Sequence, residues 1–220
     1  MLALVIDTSS AAVTAAVVDV SGGAAVRSER VTVDARAHGE LLAPQLVQCL
    51  GEAEVAIGEL TAVVAGVGPG PFTGLRVGLV TAGVLGDVLA IPTYGVCSLD
   101  AIAVAAGQAG PLLAAGDARR REIYWARYEY GDRVDGPHVH RPAELPDRGA
   151  DPVVVGAGAR LYADVLGGRL LDCDYPPPGA LAALAAERVL TGAPSERLVP
   201  MYLRRPDAVA PAEYKAVTPL

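Results

Sequence analysis

The stretch from Ala62 to Leu89 restricts what this chain can fold into more than any other. Ala62–Ala65 is a short apolar run and reads as a buried strand. It leads into Gly66-Val-Gly-Pro-Gly-Pro-Phe-Thr-Gly-Leu-Arg76, and Thr73–Leu89 then reads as a helix. Strand, glycine-rich turn and helix in that order belong to an α/β fold. The helix keeps Gly74, Gly78, Gly83 and Gly86, each costing about 1 kcal/mol against alanine. Such a helix is expected to lie close against another backbone. Two readings fit the turn itself. In one, Gly68, Gly70, Thr73 and Gly74 face an anion at the helix N-terminus. In the other, a proline-locked turn docks the helix. Neither standard fingerprint is met: Pro71 or Thr73 stands where a dinucleotide fold needs its third glycine, and no Lys-Ser/Thr follows as in a P-loop.

Around this unit the order of elements is legible. Leu2–Ile6, Ala12–Val20 and Ala24–Val33 read as strands joined by short polar turns, hence an antiparallel meander. His38–Leu50 changes to a helical period, with Leu42, Leu46, Cys49 and Leu50 on one face and Leu41 beside them. Pro44 fits that helix only within its first turn. Thr93–Val96 is a further strand, and Ser98–Ala106 a helix with Ser98 as its N-cap. Three antiparallel strands followed by helix–strand units make a mixed sheet with helices on both faces.

The second half starts in the same way. Leu112–Ala115 is a strand running into Gly116-Asp117, and Glu122–Tyr130 is a strand with near alternation. Gly131–Pro152 reads as loop, including His138 and His140. Val153–Val155 is a strand, Ala159–Leu166 a helix, Tyr175–Pro178 a stiff linker and Gly179–Leu190 a helix before an extended, proline-rich tail. An internal repeat is present. Asp7 and Asp117 each end a strand before a turn, and Val63–Gly68 matches Val153–Gly158 in type, three apolar residues followed by Gly-x-Gly. Repeated halves fit two related lobes facing a cleft, divided as residues 1–106 and 107–220.

Composition excludes several classes. The chain is 52% apolar, which supplies a sizeable core. Its net charge of −7 argues against unaided binding of nucleic acid, with Arg119-Arg120-Arg121 as a local exception read as a solvated loop. Cys49, Cys97 and Cys173 are odd in number and far apart, so neither a disulfide framework nor a zinc site is expected. No leader, membrane anchor or apolar stretch of about 18 residues is read, which places the chain in the cytoplasm.

Gly68-Pro-Gly-Pro-Phe-Thr-Gly-Leu-Arg-Val-Gly-Leu79 resembles the GPGSFTGLRIGL signature of the TsaB family, with Pro71 in place of serine. The IDTSS start, HGELLAP at His38–Pro44, GVCSLDAIA at Gly95–Ala103, DARRREIYWARY at Asp117–Tyr128 and PMYLRRPDA at Pro200–Ala208 agree in order, so the resemblance spans nearly the whole chain. It implies an actin-like (ASKHA) α/β fold of two RNase H-like lobes. It also implies a non-catalytic subunit that supports the larger paralogue TsaD, with the ATPase TsaE, in transferring a threonylcarbamoyl group to the adenosine beside the anticodon of tRNAs reading codons that begin with A. TsaC makes the adenylate donor. In TsaD two histidines of V-N-H-x-E-G-H hold a metal. The matching Val96–Ile102 here has Ser98 and Ile102 at those positions, so no metal is expected. No catalytic residue is assigned. Asp7, Thr8 and Ser9, with the glycine-rich turn, would form a vestigial nucleotide cleft, leaving open ATP or ADP at the interface of the complex.

The expected working surface is Leu41, Leu42 and Leu46 with Leu75, Arg76, Val80 and Val84, and its expected partner is TsaD. tRNA is met only through the complex, and the isolated chain could pair with itself through the same helices. A stand-alone ASKHA kinase or M22-type glycopeptidase is the competing reading. A dinucleotide-binding module is a third.

Overall fold

The computed structural model describes residues 1–146 and 152–204. The tail expected beyond Arg204, and part of the loop expected before Pro152, lie outside the described residues.

The first half builds β1 (Leu2–Asp7), β2 (Ala12–Asp19) and β3 (Ala25–Val33) as the antiparallel meander its short turns require. Then follow α1 (His38–Glu52), β4 (Leu60–Gly68), α2 (Phe72–Leu89), β5 (Thr93–Cys97) and α3 (Ser98–Ala106). β4 joins β1 in parallel and β5 joins β4 in parallel, giving the order β3-β2-β1-β4-β5. The second half builds β6 (Leu112–Asp117), β7 (Ile123–Glu129), β8 (Asp132–His140), β9 (Val153–Val155) and β10 (Arg169–Leu171) into the order β10-β9-β6-β7-β8. Read from the other edge, this is the order of the first sheet. The repeat is therefore structural: β6 takes the place of β1 and β9 that of β4. Asp7 and Asp117 end equivalent strands.

Strand periodicity sorts the core. Ala3 and Val5 face one side of the first sheet, against Leu181, Ala185 and Val189 of α6 (Pro178–Leu190). Leu4 and Ile6 face the other, against Leu42, Leu46 and Cys49 of α1 and Leu79 and Ala82 of α2. Leu99, Ile102 and Ala103 of α3 cross over to pack on Ala114, Tyr124 and Ala126 of the second sheet, joining the halves.

Several expectations change. Asp132–His140 is a strand, not a loop; it pairs with β7 and is the edge of the second sheet. Its Gly136-Pro137 and the register shifts opposite Arg127 interrupt the alternation that marks a strand. Pro44 lies inside α1 rather than in its first turn. It is exposed, as is Glu40, so the carbonyl deprived of its helical donor meets water. Ser98 opens α3 without capping it. The single helix expected over Ala159–Leu166 is two short ones, α4 (Ala157–Leu161) and α5 (Ala163–Leu166), broken at Tyr162, where φ is −121° and ψ is 30°. Of the four α2 glycines, Gly83 has open space around it and serves no close approach. Phe72–Leu89 is, by length and composition alone, apolar enough to cross a membrane; here one face of it lies on the sheet.

The C-terminal helix does not stay with the second half. α6 packs on the first sheet, and the segment after it runs along β5. Glu196 N–H donates to Thr93 O at 2.8 Å, and Tyr94 Oη to Ala193 O at 2.6 Å. Residues 193–196 thus cover the open edge of the first sheet.

Candidate functional site

β1 delivers Asp7 to a turn at the carboxyl end of the sheet, where α2 and α3 begin. The Asp7 carboxylate is buried. Ser98 Oγ donates to its Oδ2 at 2.7 Å, and Ser9 N–H to its Oδ1 at 3.1 Å. The Ser9 hydroxyl is 3.0 Å from the same Oδ1 and 2.8 Å from Ser98 Oγ. Burial raises the Asp7 pKa above the ordinary carboxylate value, against the pull of the Ser98 and Ser9 bonds and of nearby His38. Thr8 Oγ1 donates to Gly74 O at 2.7 Å and accepts from Gly78 N–H at 3.0 Å, locking the turn to α2.

The glycine-rich segment fits around this turn. A β-carbon on Gly70 would fall 2.0 Å from Ser9 O, and one on Gly74 2.7 Å from Thr8 O. These two glycines are needed for protein packing, as the docking turn requires. Of the residues expected at a nucleotide cleft, Ser9, Thr73 and Gly74 line the space between the halves. Asp7, Thr8, Gly68 and Gly70 sit behind it. That cleft, of about 820 Å³, is walled opposite by Gly116, Asp117, Arg119, Tyr124 and Arg160. His38 closes one corner, its Nε2 donating to Ser10 O at 2.8 Å.

Ser98 and Ile102, at the two positions that would carry histidine in a metal-holding paralogue, are both committed elsewhere. The Ser98 hydroxyl serves Asp7, and Ile102 is in the core between the halves. His138 and His140 are not loop residues: Trp125 Nε1 donates to His140 Nδ1 at 3.0 Å, and His138 Nε2 donates to Asp135 Oδ1 at 2.8 Å.

The expected partner-binding residues divide. Leu42, Leu46 and Leu75 are buried beneath their helices, and Leu41 is half-buried. Those three buried leucines cannot form a surface of this chain. Arg76, Val80 and Val84 are exposed as expected, and with Phe72 and Val88 they form an i, i+4 row that winds along the outside of α2. Val80, Val84 and Val88 are 61%, 54% and 76% exposed, and Val47 of α1 is 71% exposed. At the head of the line the Arg76 guanidinium lies 3.8 Å over the Phe72 ring, and its Nε donates to Tyr202 Oη at 3.2 Å. Tyr202, 126 positions away in sequence, carried no signal that could place it there.

The family model for TsaD, tRNA N6-adenosine threonylcarbamoyltransferase, matches residues 27–152. An uncharacterized Mycobacterium leprae protein is 48% identical over 208 residues, covering 94% of this chain; the chain spans 56% of that relative's length. The Haemophilus influenzae tRNA threonylcarbamoyladenosine biosynthesis protein TsaB is 31% identical over 171 residues, 70% of this chain and 72% of that one. The structure of YeaZ from Pseudomonas aeruginosa superposes with a TM-score of 0.75 at 28% identity, covering 92% of this chain and 100% of that one. With two lobes of one topology meeting at a cleft, the fold is actin-like, and the chain belongs to the TsaB family.

Proposed function

We propose that this chain is a non-catalytic, cytoplasmic subunit in the formation of threonylcarbamoyladenosine on tRNA, acting by binding and supporting its catalytic paralogue TsaD, together with TsaE. What supports this reading most is the Ser98–Asp7 bond. The position a metal ligand would occupy donates instead to the buried Asp7 carboxylate. The Haemophilus influenzae relative is named for the tRNA product.

The cleft does not fit a tightly held magnesium nucleotide. The Asp7 oxygens are engaged by protein donors, and the Asp117 carboxylate accepts from Arg119 N–H at 2.8 Å; in kinases of the actin-like class a D-x-G turn contacts phosphate at that place, and here Asp117-Ala118-Arg119 has arginine for glycine. ATP or ADP would meet this chain only at the interface of the complex.

The docking surface is the exposed line of α2 with Val47 of α1. A row of valines in water is an unfavourable surface for a monomer and a favourable one for an interface core. The isolated chain would pair with itself there. Val80→Asp/Val84→Asp should leave the melting temperature within about 2 °C, since both side chains are exposed, and abolish capture of TsaD. Unchanged capture by the folded variant removes this face from the reading.

A further inference from the structure

The hairpin between β6 and β7 turns through Arg119, Arg120 and Arg121 with φ of 61°, 54° and 63°. Glu122 N–H donates to Arg119 O at 2.9 Å and closes it. Positive φ at both central residues is the type I′ pattern, which Asn-Gly or Gly-Gly satisfies without steric cost. Here arginine fills both places and the one before. A β-carbon in this region costs about 1 kcal/mol or more per residue. The other non-glycine residues with positive φ among the described residues, Glu54, Ala90 and Tyr130, occur singly. A hairpin tip that forgoes its cheapest residues for three arginines points to a use for the charge.

The tip stands where a large anion could reach it. All three arginines are exposed, and Arg119 lines the rim of the interlobe cleft, as do Arg36 and Arg160. Part of this charge is neutralised: Arg119 is 3.7 Å from Asp117 Oδ2, and Arg160 pairs with Asp172 and Asp174. Arg36 and Arg121 have no ion-pair partner among the described residues. In a chain of net charge −7, this is a local cationic edge.

We propose that the Arg119–Arg121 turn contacts the phosphate backbone of RNA, and is the place where this chain touches the tRNA bound by its complex. The proposal rests on the reading of the chain as a subunit of a tRNA-modifying assembly. Guanidinium groups at a rigid tip suit phosphate oxygens, and a contact confined to backbone charge positions the RNA without reading its sequence.

The test uses Arg120→Asn/Arg121→Gly, which installs the turn's preferred residues and removes two charges. Binding of tRNA by the assembled complex with TsaD is measured by fluorescence anisotropy across salt concentrations, beside the melting temperature of the chain alone. The expected result has opposite signs. The melting temperature rises by about 2–4 °C as strain is relieved. The affinity for tRNA falls about tenfold, and the slope of log affinity against log salt becomes shallower by about 2. Arg120→Lys/Arg121→Lys keeps the charge and retains the slope. Unchanged affinity and slope in an assembled complex would overturn the proposal, and a lowered melting temperature would overturn the strain argument beneath it. Failure of the wild-type chain to assemble with TsaD at all would instead overturn the functional reading, and the RNA contact with it.

Discussion

The Asp7 carboxylate fills the space that a β-carbon on Gly66 would need: such an atom would lie 1.7 Å from Asp7 Oδ2. Gly66 is on β4 and Asp7 on the neighbouring β1. The glycine that ends the apolar run of β4 is therefore a steric requirement of an aspartate 59 positions earlier. Gly66→Ala must displace a buried carboxylate from Ser98 and Ser9. It should cost about 3 kcal/mol or more, read as a loss of melting temperature.

Asp7 itself should make stability depend on pH. Burial raises its folded pKa above the ordinary value of 3.8, so the folded state holds the proton more tightly than the unfolded chain does. No cost arises below the unfolded value, where both states are protonated. As pH rises through the unfolded value to the folded one, stability is lost, and the loss is complete above that. Asp7→Asn removes this pH dependence and keeps an oxygen for Ser98, while its amide nitrogen replaces the oxygen that accepts from Ser9 N–H. Measured across pH 4 to 7, the melting temperature of the wild type should fall relative to that of the variant as pH rises.

Glu196 fastens the chain beyond α6 to the edge of the first sheet. Its Oε2 accepts from Gly95 N–H at 3.1 Å, and its Oε1 pairs with Arg188 at 2.7 Å. Both charged side chains are partly exposed, which limits the energy of the pair. Glu196→Ala should destabilise by about 1–2 kcal/mol and make residues 193–204 the first site of cleavage in limited proteolysis.

The thiols should react unequally. Burial pushes the Cys97 pKa up to about 11, with Asp100 adding to the effect, so Cys97 carries little thiolate at pH 8. Cys173 is only half-buried. Native protein treated with iodoacetamide at pH 8 should be modified at Cys173 first and at Cys97 only on unfolding, read by peptide mass mapping.

What the sequence made legible was local and periodic. The meander of β1–β3 followed from valine-rich runs and short turns, and the repeat from two strand-ending aspartates and two Gly-x-Gly steps. What it hid depends on tertiary contact. β8 has no clean alternation, and β7 beside it supplies its pairing. Ser98 fitted an N-cap by position, but a carboxylate on another strand claims its hydroxyl. α2 is apolar on nearly every side, so its period could not say which residues the sheet would cover. Leu75 and Leu79 turned inward, and Val80, Val84 and Val88 outward. The actin-like architecture and the family came from the glycine-rich signature, which periodicity alone could not supply.

The central claim is that this chain contributes to tRNA modification by contact and not by chemistry. Reconstituted transfer of threonylcarbamate to tRNA, with TsaD, TsaE and the adenylate donor, tests it directly when run with the chain, without it, and with the chain as the only protein. Product is expected from the full set alone, and from neither omission. Transfer by the isolated chain, or an undiminished rate in its absence, would contradict the account.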